Sequence, residues 1–154
     1  EKGSTQGEGV RSGVRSHSRG CERTQAILSG QPSITFTMPH PPASLSPNGR
    51  VHWRVRARDA AQVRRDAALL VRQAIWEAGD VGHPWPGAVM DIQWQFAGIQ
   101  PDADNVIARL KAAIDGIADA CLIENDRTIR IGAVTFERVS RADRCVVITL
   151  TKED

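Results

Sequence analysis

Apolar residues in this chain recur at two periods, and the order in which the periods alternate restricts the fold more than any other feature. Ile34, Phe36 and Met38 alternate with Thr35 and Thr37, the pattern of a strand with one buried face, and Pro39 stops it. Four prolines within 39–48 (PHPPASLSPN) stiffen an extended loop, since each removes a backbone donor and turns its predecessor away from helix. Over 59–78 the positions Ala60, Val63, Ala67, Leu70, Ala74 and Ala78 follow helical spacing, with Asp59 as the expected N-cap. After a loop over 79–87, Met90, Ile92, Trp94 and Phe96 alternate with Asp91, Gln93 and Gln95 as a second strand. A second helix is expected over 104–121, with Ile107, Leu110, Ile114, Ile117 and Cys121 on its core face. Strands over 129–136 and 145–150 complete the order β-α-β-α-β-β. The expected architecture is α/β (α+β mixed): a single domain with a four-stranded mixed sheet and two main helices.

The chain has 154 residues, enough for one domain with a real core. Residues 1–30 are rich in Gly, Ser, Arg and Glu without apolar periodicity, so a disordered tail is expected there and a folded domain over 31–154. No apolar run approaches the ~20 residues of a membrane span, and the start lacks a signal-peptide pattern, so no membrane partner and a cytoplasmic location are expected. Cys21, Cys121 and Cys145 are odd in number and widely spaced, which argues against both a disulfide framework and a zinc site. Cys121 and Cys145 are expected in the core.

Net charge is only +2, but it is unevenly distributed. Seven arginines (Arg50, Arg54, Arg56, Arg58, Arg64, Arg65 and Arg72) face only Asp59 and Asp66 in the same stretch. Arg58, Arg65 and Arg72 follow seven-residue steps and so form one basic stripe on the first helix. Such a face is either a solvated helix surface or a contact for nucleic-acid phosphates. His52 and Trp53, in the same stretch, either stack on a base or pack. Trp76, Trp85 and Trp94 are expected to pack, and His40 and His83 are read as loop residues without chemistry.

Residues 101–111 (PDADNVIARLK) are the most informative segment. Asp102 and Asp104 are two apart between the end of a strand and the start of a helix, and in extended backbone residues i and i+2 point the same way. Lys111, seven residues after Asp104, falls within about 20° of it around an ideal helix, and Ala108 and Asp115 share that polar face. Hard oxygen ligands without a neighbouring His or Cys favour Mg²⁺ or Mn²⁺, and phosphodiester hydrolysis is the chemistry suited to such a site. Taken alone, a D-x-D pair fits equally a helix N-terminus that uses acidic residues to cap and complement the dipole. An EF-hand loop is excluded by Val106 and Ile107 at its fifth and sixth positions. A haloacid-dehalogenase arrangement is excluded by the residues 98–101 that separate strand from aspartates.

With Asp102, Asp104 and Asn105 as a D-x-D-N motif, KAAIDG from Lys111 to Gly116, and Asp126 in LIENDRTI, the chain resembles the RusA family of Holliday junction resolvases, prophage-borne members included. The strand from Ile34 followed by the proline-rich loop to Asn48 resembles the family's beginning, so the likeness covers most of 33–150. The resemblance implies a Mg²⁺-dependent homodimer, with Mn²⁺ able to substitute, that makes paired nicks in four-way DNA junctions. It implies Asp102, Asp104 and Asp126 as metal ligands and Lys111 as the catalytic lysine; many members carry that lysine four residues after the second aspartate, where Ala108 stands here. Gln100 and Pro101 replace the family's basic residues before the first aspartate, and Asn125 replaces one of an acidic pair, with Glu124 beside it as a partial replacement for the lost carboxylate. Beside such a site, Arg50, Arg54, Arg56, Arg58 and Arg65 are the expected DNA contacts. A junction-binding protein of the same fold without cleavage, and a nuclease for other branched DNA, are the alternative readings.

Overall fold

Alternating burial along Ser33–Met38 makes β1, with Ile34, Phe36 and Met38 inward as the period-2 pattern requires. The computed structural model describes residues 30–79 and 81–153, so the tail expected over 1–30 lies outside the described residues apart from Gly30. Helix α1 spans Trp53–Ala78, β2 Gly87–Phe96, α2 Ala103–Asp119, β3 Ile129–Arg138 and β4 Val146–Glu153. The order β-α-β-α-β-β and the α+β single domain with a four-stranded mixed sheet are as the periodicity requires.

The sheet order is β1-β4-β2-β3. β4 runs antiparallel to both neighbours, while β2 and β3 are parallel and joined through α2. One face of the sheet, carrying Phe36, Met90, Ile92, Trp94, Ile148 and Leu150, is buried together with Val63, Ala67 and Val71 of α1 and Val106, Leu110 and Ile117 of α2. Burying side chains of this size contributes ~1.5–3 kcal/mol each before the entropy of ordering the chain is set against it. The opposite face is polar, with Thr35, Thr149, Asp91, Gln93 and Glu137 on neighbouring strands. The β2–β3 ladder shifts register between Met90 and Ile92, and there the Asp91 carboxylate accepts the Ala133 amide at 2.7 Å. Gly132 leaves the space for it, because a Cβ there would strike Asp91 Oδ1 and approach Val89 Cγ1 to 2.7 Å.

Several boundaries differ from the sequence expectation. α1 begins six residues before Asp59: His52 Nδ1 accepts the Arg54 amide at 3.2 Å as cap, while Asp59 is occupied by Ser44 Oγ at 2.6 Å and by Arg58. α2 ends at Asp119, and Cys121 is exposed in the left-handed region (φ 62°) rather than in the core. Cys145 is half-buried, its thiol donating to Gln95 Oε1 at 2.7 Å. The core face of α2 is turned from the expected one, with Val106, Ala113 and Gly116 buried and Ile107 and Ile114 only partly so. Small residues explain the turn, since Gly116 lies against the Arg64 carbonyl and a Cβ there would strike that oxygen and come within 3.0 Å of Ala67 Cβ. Trp85 and Trp94 pack as expected, but Trp76 is 87% exposed.

Candidate functional site

Residues 101–126 contain every sequence-predicted acidic ligand, and their backbone is held from two sides. At the start of α2, Arg109 donates to the Pro41 carbonyl and its guanidinium lies 5.2 Å from the Trp94 ring centroid. This ties the proline-rich loop to α2. His40 of that loop stacks on Trp94 at 4.2 Å, and its Nε2 lies 2.7 Å from the Gln95 carbonyl, which can only accept, so Nε2 carries the proton. Burial lowers the His40 pKa, helped by Arg109 and Arg144, and burial also lowers that of Arg109, whose Nε is buried without a hydrogen-bond partner. Beyond α2, Trp85 bonds Leu122 and Glu124 through its backbone, and its indole donates to the Val81 carbonyl, fixing the turn that presents Asp126.

Asp102 stands at the N-cap position of α2 with extended backbone (ψ 146°), yet its side chain makes no capping hydrogen bond. Asp104 is exposed in the first turn, and Lys111 is exposed on the same face two turns on. Asp126 opens a 3-10 turn over Asp126–Thr128, whose cap is supplied by Asn125, Oδ1 accepting the Arg127 amide at 2.9 Å. Asp126 acts electrostatically on Arg64 together with Asp115. Arg64 itself pairs with Asp119 at 2.5 Å, which raises the arginine's pKa and lowers the aspartate's.

The acidic side chains thus divide into two groups. Asp59, Asp66, Glu77, Asp91, Asp119, Glu137, Asp143 and Glu153 each accept a hydrogen bond or ion pair from a side chain or backbone amide. Asp102, Asp104, Asp115, Glu124 and Asp126 do not engage a hydrogen-bonding partner among the described residues, and all lie on α2 or the turn after it. Asp115 and Glu124 join the predicted three; the place of Asp115 on the Asp104–Lys111 face was the sequence signal for it. Their oxygen donors suit a hard divalent cation. No group of three or more His, Cys, Asp or Glu side chains that could hold a metal ion occurs among the described residues.

All five expected DNA contacts, Arg50, Arg54, Arg56, Arg58 and Arg65, are exposed. Arg54 lies 5.3 Å from the Trp53 ring centroid, Arg58 pairs with Asp59, and Arg65 donates to Gln62. Arg56 has a task the sequence did not suggest: its guanidinium donates to the carbonyls of Ser44, Ser46 and Gly49 and closes the loop before α1. A groove of about 840 Å³ runs from Gln73 and Glu77 of α1 over Thr35, Thr149, Gln93 and Glu137, and includes none of the predicted site residues.

No protein-family model matches the chain. Over 120 residues it is 38% identical to a protein of Xylella fastidiosa (strain Temecula1) described only as an uncharacterized protein, an alignment covering 76% of this chain and 75% of that one. The chain belongs to that protein's family. Among solved structures, PurLQS from Thermotoga maritima aligns with 79% of this chain at 13% identity and a TM-score of 0.33. This chain spans 18% of the PurLQS chain.

Proposed function

We propose that this protein is a structure-selective, Mg²⁺-dependent endodeoxyribonuclease that acts as a homodimer on four-way DNA junctions. The observation that carries the reading is the confinement of the unengaged carboxylates to α2 and its following turn, beside the arginine-rich exposed face of α1. A helix-capping role for Asp102 predicts a bond to the helix amides, and that bond is absent. The resemblance to the RusA family supplies the substrate class, and a C2 pair of subunits matches the approximate two-fold symmetry of a four-way junction. Arg54, Arg58 and Arg65 bind backbone phosphate in this reading, which gives affinity with little sequence information.

A second reading, a junction-binding protein that does not cut, is favoured by one observation: among the described residues no group of three or more His, Cys, Asp or Glu side chains could hold a metal ion. Incubation with labelled four-way junction, flap and linear duplex separates the readings. The nuclease reading expects nicking of the junction in Mg²⁺ or Mn²⁺, binding with little cutting in Ca²⁺, and none in EDTA. Tight junction binding with no nicking in Mg²⁺ or Mn²⁺ establishes the second reading. Preferential cutting of the flap redirects the first to other branched DNA.

A further inference from the structure

On an ideal helix, Arg54, Arg58, Gln62, Arg65, Leu69, Arg72 and Trp76 fall within about 40° of one direction, forming one stripe along α1. Every one of them is exposed, Leu69 at 61% and Trp76 at 87%. The stripe bears no carboxylate, since Asp66 and Glu77 lie about 80–100° away around the helix. At its far end Arg72 donates to the Asp119 carbonyl at the close of α2, which places the stripe beside the acidic segment. Trp is a residue type that is highly buried on average, so a nearly bare indole in regular helix asks for a ligand. A second copy of this chain is a poor occupant, because a two-fold pairing of this stripe sets arginine against arginine, and the carboxylates at its border, Asp59 and Asp66, are already taken by Arg58 and Gln62. A polyanion with unsaturated rings matches both the charge and the indole.

From this arrangement we infer that the stripe on α1 binds unpaired nucleic acid, with Trp76 stacked on an exposed base, Arg72 on a flanking phosphate, and Leu69 and Arg65 meeting the strand further along. The inference rests on the DNA-directed reading above and adds a place for the bases that a branched substrate leaves unpaired. Stacking on one aromatic ring is sequence-tolerant and strong enough that its loss is measurable.

The test is fluorescence anisotropy of a labelled 20-nucleotide oligo(dT) in EDTA, with the intact chain and its Trp76→Ala and Trp76→Phe variants. All three are expected to melt alike, because the ring touches little of the fold. Trp76→Ala is expected to weaken binding by about tenfold or more while Trp76→Phe keeps most of it. Arg72→Ala is expected to lower the salt slope of log affinity by about 0.7. Failure of the parent to bind oligo(dT), or equal binding by Trp76→Ala, overturns the inference. A change in sedimenting mass on replacing Leu69 and Trp76, with oligo(dT) binding intact, also overturns it and assigns the face to a second copy. Junction nicking is read separately. Loss of oligo(dT) binding in Trp76→Ala from a parent that does not nick leaves this inference standing without the nuclease reading; nicking with unaltered oligo(dT) binding does the reverse.

Discussion

Asp102 and Asp104 begin α2 without capping it, and this separates two explanations that the sequence leaves equivalent. Asp104 lies in the first turn, where a carboxylate complements the helix dipole by only about 0.3–1 kcal/mol, so a purely structural role predicts that Asp104→Asn is folded and fully active. If the charge serves phosphodiester cleavage, the same variant nicks junctions at least ~100-fold more slowly, keeps its melting temperature and retains or gains junction affinity. Gel-shift and nicking assays on one preparation decide between them. At His40 the consequence is pH dependence. Burial favours the neutral imidazole, so the folded pKa lies below 6.5 and the unfolded chain takes up the proton first as pH falls. The associated stability is complete above pH ~6.5 and is lost as the pH falls below it, whereas Asp59 and Asp119, both lowered by their partners, contribute losses only in the more acidic carboxylate range. Melting curves at pH 7.5 and 5.5 should show a larger drop for the parent than for His40→Gln. Sequence alone placed Trp85 and Trp94 correctly but not Trp76. Four residues beyond Arg72, Trp76 sits on the basic stripe by helical arithmetic; the general tendency of tryptophan to be buried pointed the other way.

At the scale of elements, the strands were legible because a half-buried sheet writes its burial directly into alternate residues. The helix boundaries and the exact face of α2 were not. His52 caps α1 at the end of a loop that Arg56 closes, a contact between residues 44–49 and the helix that no local pattern reveals. The face of α2 is decided by its neighbour: Gly116 admits the α1 backbone, and the helix turns so that its smallest residues lie there. Gly116→Ala therefore forces the two helices apart at the Arg64 carbonyl. A loss of about 1–3 kcal/mol is expected, read as a lower urea midpoint with an unchanged m-value. Gly116→Ala unfolding at the parent's midpoint would show that the helices slide apart at little cost. The setting of Asp126 was likewise invisible to spacing, because the turn held by the backbone bonds of Trp85 to Leu122 and Glu124 precedes it.

For the whole molecule, a net charge of +2 predicts weak attraction to DNA, whereas the one-sided stripe on α1 predicts a strong one. If Arg54, Arg58 and Arg65 each neutralise a phosphate, log affinity for a junction falls against log salt with a slope of about −3, and Arg65→Ala makes the slope shallower by about 0.9. A slope near zero between 50 and 200 mM salt, measured by gel shift, removes these arginines from the DNA contact. The sheet order carries a further consequence, for the moment of synthesis. Among the described residues β1 is bonded only to β4, which follows all the other strands in the chain, and β4 also completes β2. A ribosome therefore releases β1, α1, β2, α2 and β3 before the strand that joins them exists, and β1 waits without a strand partner for more than a hundred residues. Nascent chains stalled before Val146 should remain protease-sensitive along β1, and protection should arrive in one step once Glu153 has cleared the exit tunnel.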